Sequence, residues 1–383
     1  RRSYSFERVA PRTTPPFRAD HVGSLLRPPE LLAARAEHAA GRFTDERLRA
    51  VEDEAVRAAI ALQEEVGLRA VTDGELRRAS WHMDFIYALG GIEPSEEMAV
   101  RSTFHNAAGT LEFAPPMAVV SAPITLERTI FADAFEFLAD AVSPQSTPKL
   151  TIPSPSMIHY RGGRSAVSPE TYPDMEVFWS DVADVYAEEI RRLAEIGCSY
   201  LQIDDITLAY VNDPQQRAML DARGESGESQ HLTYIATLNE ALRERPDGMT
   251  ITTHTCRGNF RSSWVASGGY DFIAEALFSE LDVDGFFMEY DDERSGGFEP
   301  LRFVPKGKTV VLGLVTTKRG ELETKDSIKR RIEEAARFVD IDQLCLSPQC
   351  GFSSTSDGNS VTVDEQRAKL RLVVETAAEV WGD

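Results

Sequence analysis

Eight short β-rich runs alternate with amphipathic helical stretches along this chain, and that alternation limits its fold more than any other feature. The runs occupy residues 20–24, 70–75, 149–154, 200–205, 249–255, 285–290, 309–315 and 343–348. Several are apolar throughout, as expected of parallel strands that are covered on both faces. Eight strand–helix repeats predict an α/β fold of the (β/α)8 TIM-barrel type. A doubly wound dinucleotide-binding sheet is disfavoured, because no Gly-rich turn follows the first run.

Two segments fall outside this repeat. Residues 1–16 are polar and proline-rich, which predicts an N-terminal arm. Residues 101–125 combine apolar residues with Gly109 and Pro115-Pro116, which predicts a β-hairpin insertion over one mouth of the barrel. We expect residues 17–383 to form a single barrel domain.

The composition narrows the class of protein. The 383 residues include 62 acidic and 41 basic side chains, for a formal charge of −21. This acidity argues against nucleic-acid partners and anionic membranes, since both are bound through Lys and Arg. The four cysteines are widely spaced, and no apolar run is long enough to cross a bilayer. We expect a cytoplasmic protein with reduced cysteines and neither of those partners, and homo-oligomerisation is left open.

Reactive side chains recur where the predicted strands end. In a barrel of this type the carboxyl ends of the strands carry the active site. A barrel with a purely structural role has no need to gather acids, histidine and cysteine at one rim, so the pattern predicts an enzyme. The side chains at or just after these ends are Ser24, Asp73, Glu75, Asp204, Asp205, His254, Cys256, Glu289 and Cys350.

Thr253-His254-Thr255-Cys256 is the sharpest local signal. Positions i and i+2 of a strand point to one face, so His254 and Cys256 can converge on one ion. Cys350 offers a second thiolate beyond the last strand, and Glu289 offers a carboxylate from the strand between. Imidazole, thiolate and carboxylate are zinc ligands, which makes Zn²⁺ the predicted cofactor. The alternative is that both cysteines are small buried apolar residues.

Five motifs in order, HVGS (21–24), VTDGE (71–75), LQIDD (201–205), THTC (253–256) and LSPQCG (346–351), carry a resemblance. Together they resemble the cobalamin-independent methionine synthase family, and most closely its single-barrel members. The resemblance covers nearly all of residues 17–382. It implies a (β/α)8 barrel that transfers a methyl group to a zinc-bound thiol, typically homocysteine. The implied zinc ligands are His254, Cys256, Glu289 and Cys350. We expect Glu289 to be displaced, or to move, when the substrate sulfur arrives.

The resemblance also implies how the amino acid is held. The backbone at Gly23-Ser24 would bind the carboxylate of the thiol substrate, and Glu75 and Asp204 would bind its ammonium group. Alternatively, the two acids could pair with arginines such as Arg77 or Arg78 in a structural network.

Two departures from the family pattern concern the methyl donor and the proton donor. The family's third-strand motif carries a Trp that stacks on the pterin of folate, whereas residues 152–160 contain none. The family's seventh-strand loop carries a His, whereas the nearest ionisable residue here is Lys318. The candidate catalytic side chains are therefore Lys318 and Asp204, and the alkyl donor stays open.

The leading hypothesis is a zinc-dependent methyl or alkyl transferase acting on a small thiol. The same site could instead cleave a thioether, dealkylate a sulfur compound or join a thiol to an epoxide. A metal-free decarboxylase barrel of the uroporphyrinogen type, using Asp73 or Asp204, is an alternative enzyme class. A zinc-stabilised barrel that only binds a thiol is the non-enzymatic alternative.

Overall fold

The computed structural model describes residues 12–97, 102–106, 109–113 and 117–382. The strands over these residues are β1 (Ala70–Val71), β2 (Gly90–Ser95), β3 (Ser102–Asn106), β4 (Gly109–Phe113), β5 (Met117–Thr125), β6 (Thr147–Pro148), β7 (Leu150–Pro153), β8 (Tyr200–Asp205), β9 (Thr250–Thr255), β10 (Gly285–Glu289), β11 (Thr309–Val315) and β12 (Leu344–Pro348).

The α-helices over the same residues are α1 (Pro29–Ala39), α2 (Asp45–Val66), α3 (Met83–Ile86), α4 (Ala132–Ala141), α5 (Met175–Glu195), α6 (Thr207–Tyr210), α7 (Pro214–Ala222), α8 (Gln230–Leu242), α9 (Ala274–Glu280), α10 (Lys325–Ala335) and α11 (Val363–Trp381). Local capping explains where the long helices begin. Thr44 caps α2, and Thr362 forms a capping box with Glu365 at the start of α11.

The barrel wall is a parallel sheet in the order β7-β8-β9-β10-β11-β12. On one side β1 pairs with β6 in parallel, and Lys149 joins β6 directly to β7. On the other side Ala19 forms a parallel bridge to Leu346 of β12. The Thr72 hydroxyl after β1 donates to the carbonyl of Gly23 at 2.7 Å, so the segment that contains Ala19 and Gly23 also contacts the end of β1. The ring closes, and the predicted (β/α)8 fold is confirmed.

Strands β8, β10, β11 and β12 are buried along their whole length, because helices cover the outside and side chains fill the inside. The amphipathic helices α5 and α8 pack beside each other on this wall. No helix of the described residues is long and apolar enough to span a membrane.

The insertion is confirmed as a hairpin and is longer than predicted. β3 and β4 pair antiparallel, with Phe104 opposite Leu111. β2 and β5 form a second antiparallel ribbon, so the insertion begins at Gly90 rather than at residue 101. β2 escaped the sequence analysis because it is short, half-exposed and contains Gly and Pro in place of an apolar run.

The predicted arm falls largely on residues 1–11, which lie outside the described residues, as do Arg101 and Pro115-Pro116. Within the described part, the Arg12 guanidinium donates to the Thr309 hydroxyl at 2.7 Å. The division into an arm and one barrel domain stays a prediction.

Candidate metal and thiol site

The structure brings His254, Cys256 and Cys350 together from two separated parts of the chain. His254 lies in β9, Cys256 follows it, and Cys350 follows β12. The sulfurs of the two cysteines are 3.4 Å apart, and one donor atom from each of the three residues lies within 4.8 Å of the others. All three side chains are buried. We call these residues the donor cluster.

A carboxylate orients the imidazole of the donor cluster. His254 Nδ1 lies 3.1 Å from Asp204 Oδ1, and its Nε2 lies 3.3 Å from the carbonyl of Gln349, the neighbour of Cys350. The contact arises because Asp204 in β8 is in register with His254 in β9. Burial opposes protonation of His254, but hydrogen bonds with Asp204 and Cys350 raise its pKa to about 10. A carboxylate on the far nitrogen is the usual support of a metal-binding histidine.

The two sulfurs influence each other most strongly. The hydrogen bond between them lowers the pKa of Cys350 well below its usual value and raises that of Cys256 well above it. Burial raises both, and His254 further favours the Cys350 thiolate. These contacts therefore favour the thiolate form of Cys350, and the thiolate is the form that binds metals.

Glu289 ends β10 and is fully buried, and its carboxylate contacts cationic groups. Oε1 lies 3.0 Å from Lys318 Nζ and 3.0 Å from Arg294 Nη2, and Oε2 accepts from the backbone N–H of Arg257 at 2.8 Å. Burial opposes ionisation of Glu289, but these cations outweigh it and hold its pKa below the usual range. Among the described residues the donor cluster does not include Glu289, so its role as a fourth ligand stays a prediction.

Lys318, the predicted proton donor, follows β11 and is paired twice. Its Nζ lies 3.0 Å from Glu289 Oε1 and 3.2 Å from Asp291 Oδ2. Burial lowers the pKa of Lys318, but Asp291 and Glu289 raise it above its ordinary value overall. A lysine held in the protonated form is a weak acid, and these contacts favour a positioning role toward Glu289. Its catalytic role stays a prediction.

A cavity of about 280 Å³ opens beside the donor cluster. Three predicted substrate-binding residues, Ser24, Glu75 and Asp204, line it together with the cluster. Gly23 lies beside them at φ +145°, where an added Cβ would come within 2.8 Å of Thr151 Cγ2. A side chain at this position would therefore crowd the cavity wall.

Glu75 has a buried carboxylate of which only one oxygen is hydrogen-bonded. Its Oε1 accepts from the Thr151 hydroxyl at 2.8 Å, whereas its Oε2 is buried without a hydrogen-bond partner in the described part of the chain. The pairing with Arg78 that the sequence suggested is present but long, at 3.9 Å. Burial raises the pKa of Glu75 to about 7; Arg78 opposes the shift and Asp204 adds to it. The backbone of Glu75 is also left-handed, at φ +56°, which is uncommon for a residue other than glycine.

Several cavity residues were missed from the sequence. Phe104 and Phe113 come from the hairpin, Phe260 from the loop after β9, and Arg161 from the segment after β7. The strand-end rule that located His254 could also have located Arg161. The phenylalanines gave no such signal, because their approach depends on how the hairpin folds over the barrel.

Comparison with known proteins identifies the family. The family model described as "Cobalamin-independent synthase, Catalytic domain" matches residues 17–379. The chain belongs to this family. It is therefore a methionine synthase-like catalytic domain of the cobalamin-independent type.

Individual relatives match the chain over nearly its full length. The uncharacterized protein YxjG of Bacillus subtilis (strain 168) is 45% identical over 372 residues, which are 97% of this chain and 96% of that protein. A candidate vitamin-B12-independent methionine synthase from Listeria monocytogenes has a solved structure with a TM-score of 0.76 and 35% identity, covering 98% of this chain and all of that one. A B12-independent methionine synthase from Shewanella sp. W3-18-1, solved with selenomethionine, has a TM-score of 0.69 and 19% identity, covering 95% and 97%.

Proposed function

We propose that this chain is a zinc-dependent transferase that moves a methyl or other alkyl group onto the sulfur of a small thiol such as homocysteine. The observation that carries the proposal is the convergence of His254, Cys256 and Cys350 beside a cavity at the strand ends. The selenomethionine bound to the Shewanella relative is the selenium analogue of the methionine that homocysteine would yield.

The donor cluster fits zinc in its chemistry. One imidazole nitrogen and two sulfurs are ligands that Zn²⁺ accepts, and three protein ligands are typical of a site that leaves a position for substrate. We propose that His254, Cys256 and Cys350 hold the ion. When bound, zinc lowers the pKa of a thiol ligand so that its sulfur is present as the nucleophilic thiolate.

We keep Glu289 as the proposed exchangeable fourth ligand. Its ion pairs with Lys318 and Arg294 would hold the carboxylate in place when it is not bound to the ion. In this scheme Lys318 is a positioning residue, because it acts on the reaction through Glu289.

The amino-acid part of the thiol substrate fits the side of the cavity formed by Ser24, Glu75 and Asp204. The unpartnered Oε2 of Glu75 is an acceptor for an ammonium group, and Asp204 lies close enough to raise the pKa of Glu75. The backbone at Gly23-Ser24 is proposed to bind the carboxylate. Asp204 has a second task, because its contact with His254 fixes the imidazole.

With the thiol substrate held by these residues, the proposed reaction is a direct displacement at the alkyl carbon. A lone pair of the thiolate sulfur forms the new carbon–sulfur bond while the bond between that carbon and its carrier breaks, and the carrier keeps the electron pair. The metal-free decarboxylase alternative is less favoured, because it gives no reason for two cysteines and a histidine to meet beside the cavity.

Metal analysis of matched cysteine variants tests this function. Cys345 is the matched control, because it is buried in β12 near the carbonyl of Pro16 and outside the donor cluster. We expect stoichiometric zinc in the wild type and in Cys345→Ser, and loss of zinc and of homocysteine alkylation in Cys350→Ser. X-ray absorption at the zinc edge should show one more sulfur ligand when homocysteine is added. A wild type without zinc, or a metal-free Cys350→Ser that still alkylates homocysteine, would contradict the proposal.

A further inference from the structure

Arg161 lines the same cavity as the proposed amino-acid subsite, and its backbone is firmly held. It follows β7 and a 3₁₀ turn at Pro155–Ile158. Its carbonyl accepts from Arg223 Nη1 at 3.1 Å. At the next residue, Gly162, an added Cβ would lie 2.3 Å from Ala166 Cβ and 2.8 Å from Met117 Sδ. This close packing places the Arg161 side chain at the cavity wall.

No carboxylate among the described residues forms an ion pair with the buried nitrogens of the Arg161 guanidinium. Its Nε and Nη1 atoms are buried without a hydrogen-bond partner in the part of the chain that the structure describes. The groups that act on it electrostatically are the phenols of Tyr87, Tyr160 and Tyr210, and burial lowers its pKa. Burying guanidinium nitrogens near phenols is costly unless an anion completes the site.

Four carboxylates line the same cavity, those of Glu75, Asp204, Asp205 and Asp357, and the buried Nε and Nη1 of Arg161 bond to none of them in the described part of the chain. Asp204 contacts His254 and Gln202, and Asp205 accepts from the Thr207 hydroxyl at 2.7 Å. Asp357 accepts from Arg261 at 2.5 Å. The missing anion is therefore not supplied by these neighbours, and a bound ligand is the remaining source.

An aromatic wall completes this part of the cavity. Phe113 packs on Phe260 with ring centroids 4.5 Å apart, and Phe104 packs on Phe260 at 5.3 Å. The hairpin is anchored there, since the backbone N–H of His105 donates to the carbonyl of Trp264 at 2.7 Å. Aromatic faces of this kind bind planar or apolar parts of a ligand.

We propose that Arg161 binds a carboxylate of the alkyl donor, and that Phe104, Phe113 and Phe260 pack against an apolar part of the same molecule. This inference rests on the proposed function and names the chemical class of the alkyl donor, which carries a carboxylate and an apolar part. The guanidinium fork matches a carboxylate in a bidentate fashion. A phosphate dianion fits less well, because Glu75, Asp204, Asp205 and Asp357 make the remaining cavity wall acidic. The thiol substrate has its own subsite at Gly23-Ser24 and Glu75.

The test compares a small aromatic carboxylate with its neutral amide. The zinc-loaded chain is titrated calorimetrically with 3-phenylpropionate and with 3-phenylpropionamide. We expect the wild type to prefer the carboxylate at least about tenfold, since a charge-assisted bidentate pair is lost in the amide. The preference should vanish in Arg161→Gln and be intermediate in Arg161→Lys, which keeps the charge without the fork.

Arg164→Gln is the matched control. This arginine is three residues away, but its guanidinium donates to the carbonyls of Val167 and Tyr172. It should keep the preference of the wild type. A wild type that binds neither probe, or both equally, overturns the proposal, as does an Arg164→Gln variant that loses the preference along with Arg161→Gln.

A parallel titration with homocysteine distinguishes the two substrates. Arg161→Gln should bind homocysteine within about twofold of the wild type, because the amino-acid subsite is unchanged. A tenfold weaker homocysteine affinity would assign Arg161 to the acceptor and overturn its assignment to the donor. Zinc content distinguishes a failure of this inference from a failure of the proposed function. If the wild type contains no zinc but still prefers the carboxylate to the amide, the proposed function is contradicted and the assignment of Arg161 is not.

Discussion

Two buried polar clusters lie inside the same barrel and differ in how completely they are paired. Near the start of the strands, Lys149 Nζ lies 3.1 Å from Asp20 Oδ1, and Asp20 Oδ2 accepts from the Tyr200 hydroxyl at 2.8 Å. At the strand ends, Glu75 Oε2 and two nitrogens of Arg161 have no partner in the described part of the chain. The groups of the first cluster pair with one another and stabilise the fold, whereas the unpaired atoms of the second are available to bind ligands.

Removing the buried lysine should produce the largest effect. Lys149→Met leaves Asp20 buried without its cation, and we expect a loss of about 3–5 kcal/mol in the free energy of unfolding. Urea denaturation measures this. Lys325→Met is the control, because Lys325 pairs with Glu375 and Glu379 at the surface and its loss should cost under about 1 kcal/mol. Equal losses of unfolding free energy in Lys149→Met and Lys325→Met would show that the buried pair stabilises the fold no more than a surface pair does.

Glu75→Gln should change the free energy of unfolding in the opposite direction, toward greater stability. Because burial raises the pKa of Glu75 from 4.5 to about 7, the folded protein loses stability as pH rises through that interval. The variant does not titrate there, so above about pH 7 it should be more stable than the wild type by on the order of 3 kcal/mol. Below about pH 4.5 the two should coincide.

Unfolding curves at a series of pH values check the Glu75 prediction, and homocysteine binding should weaken in the same variant. Parallel stability profiles for the variant and the wild type would show that ionisation of Glu75 does not destabilise the folded protein. That result would place it with the fully paired cluster.

Asp204→Asn tests the support of the donor cluster. The amide cannot match the carboxylate at His254 Nδ1, so zinc affinity should fall roughly ten- to a hundredfold. Competition with a fluorescent chelator measures the affinity. Asp205→Asn is a comparison at the adjacent position, where the carboxylate accepts from Ser156, Thr207 and the Leu208 N–H instead. The same loss of zinc in both variants would contradict a specific role for Asp204.

Phe113→Ala should have the smallest effect. Phe113 is only half-buried, so its truncation should cost about 0.5–1.5 kcal/mol in the binding of an aromatic ligand and less in folding. Calorimetry with 3-phenylpropionate and urea denaturation separate the two quantities. A larger loss in folding than in binding would make the aromatic wall part of the core.

The positions of His254, Cys256 and Cys350 could be predicted from the sequence because parallel strands present their carboxyl ends at one rim. The cationic surroundings of Glu289 could not, since Arg294 and Lys318 reach it from two different loops and no periodicity encodes such a meeting. The ribbon that starts at Gly90 was missed for a related reason. Its partner strand lies beyond the intervening hairpin, so the pairing is a property of the folded insertion.

The anchoring of the hairpin on Trp264 has an evolutionary consequence. The segment that receives it begins directly after Cys256, so the proposed wall for the alkyl donor and a proposed metal ligand belong to one loop. The sulfur-activating groups themselves sit on or next to barrel strands, whose geometry the fold dictates. If the proposed roles hold, sequence drift in the hairpin would change which alkyl donor is accepted while the sulfur-binding residues stay the same, and one scaffold would give rise to a series of alkylating enzymes.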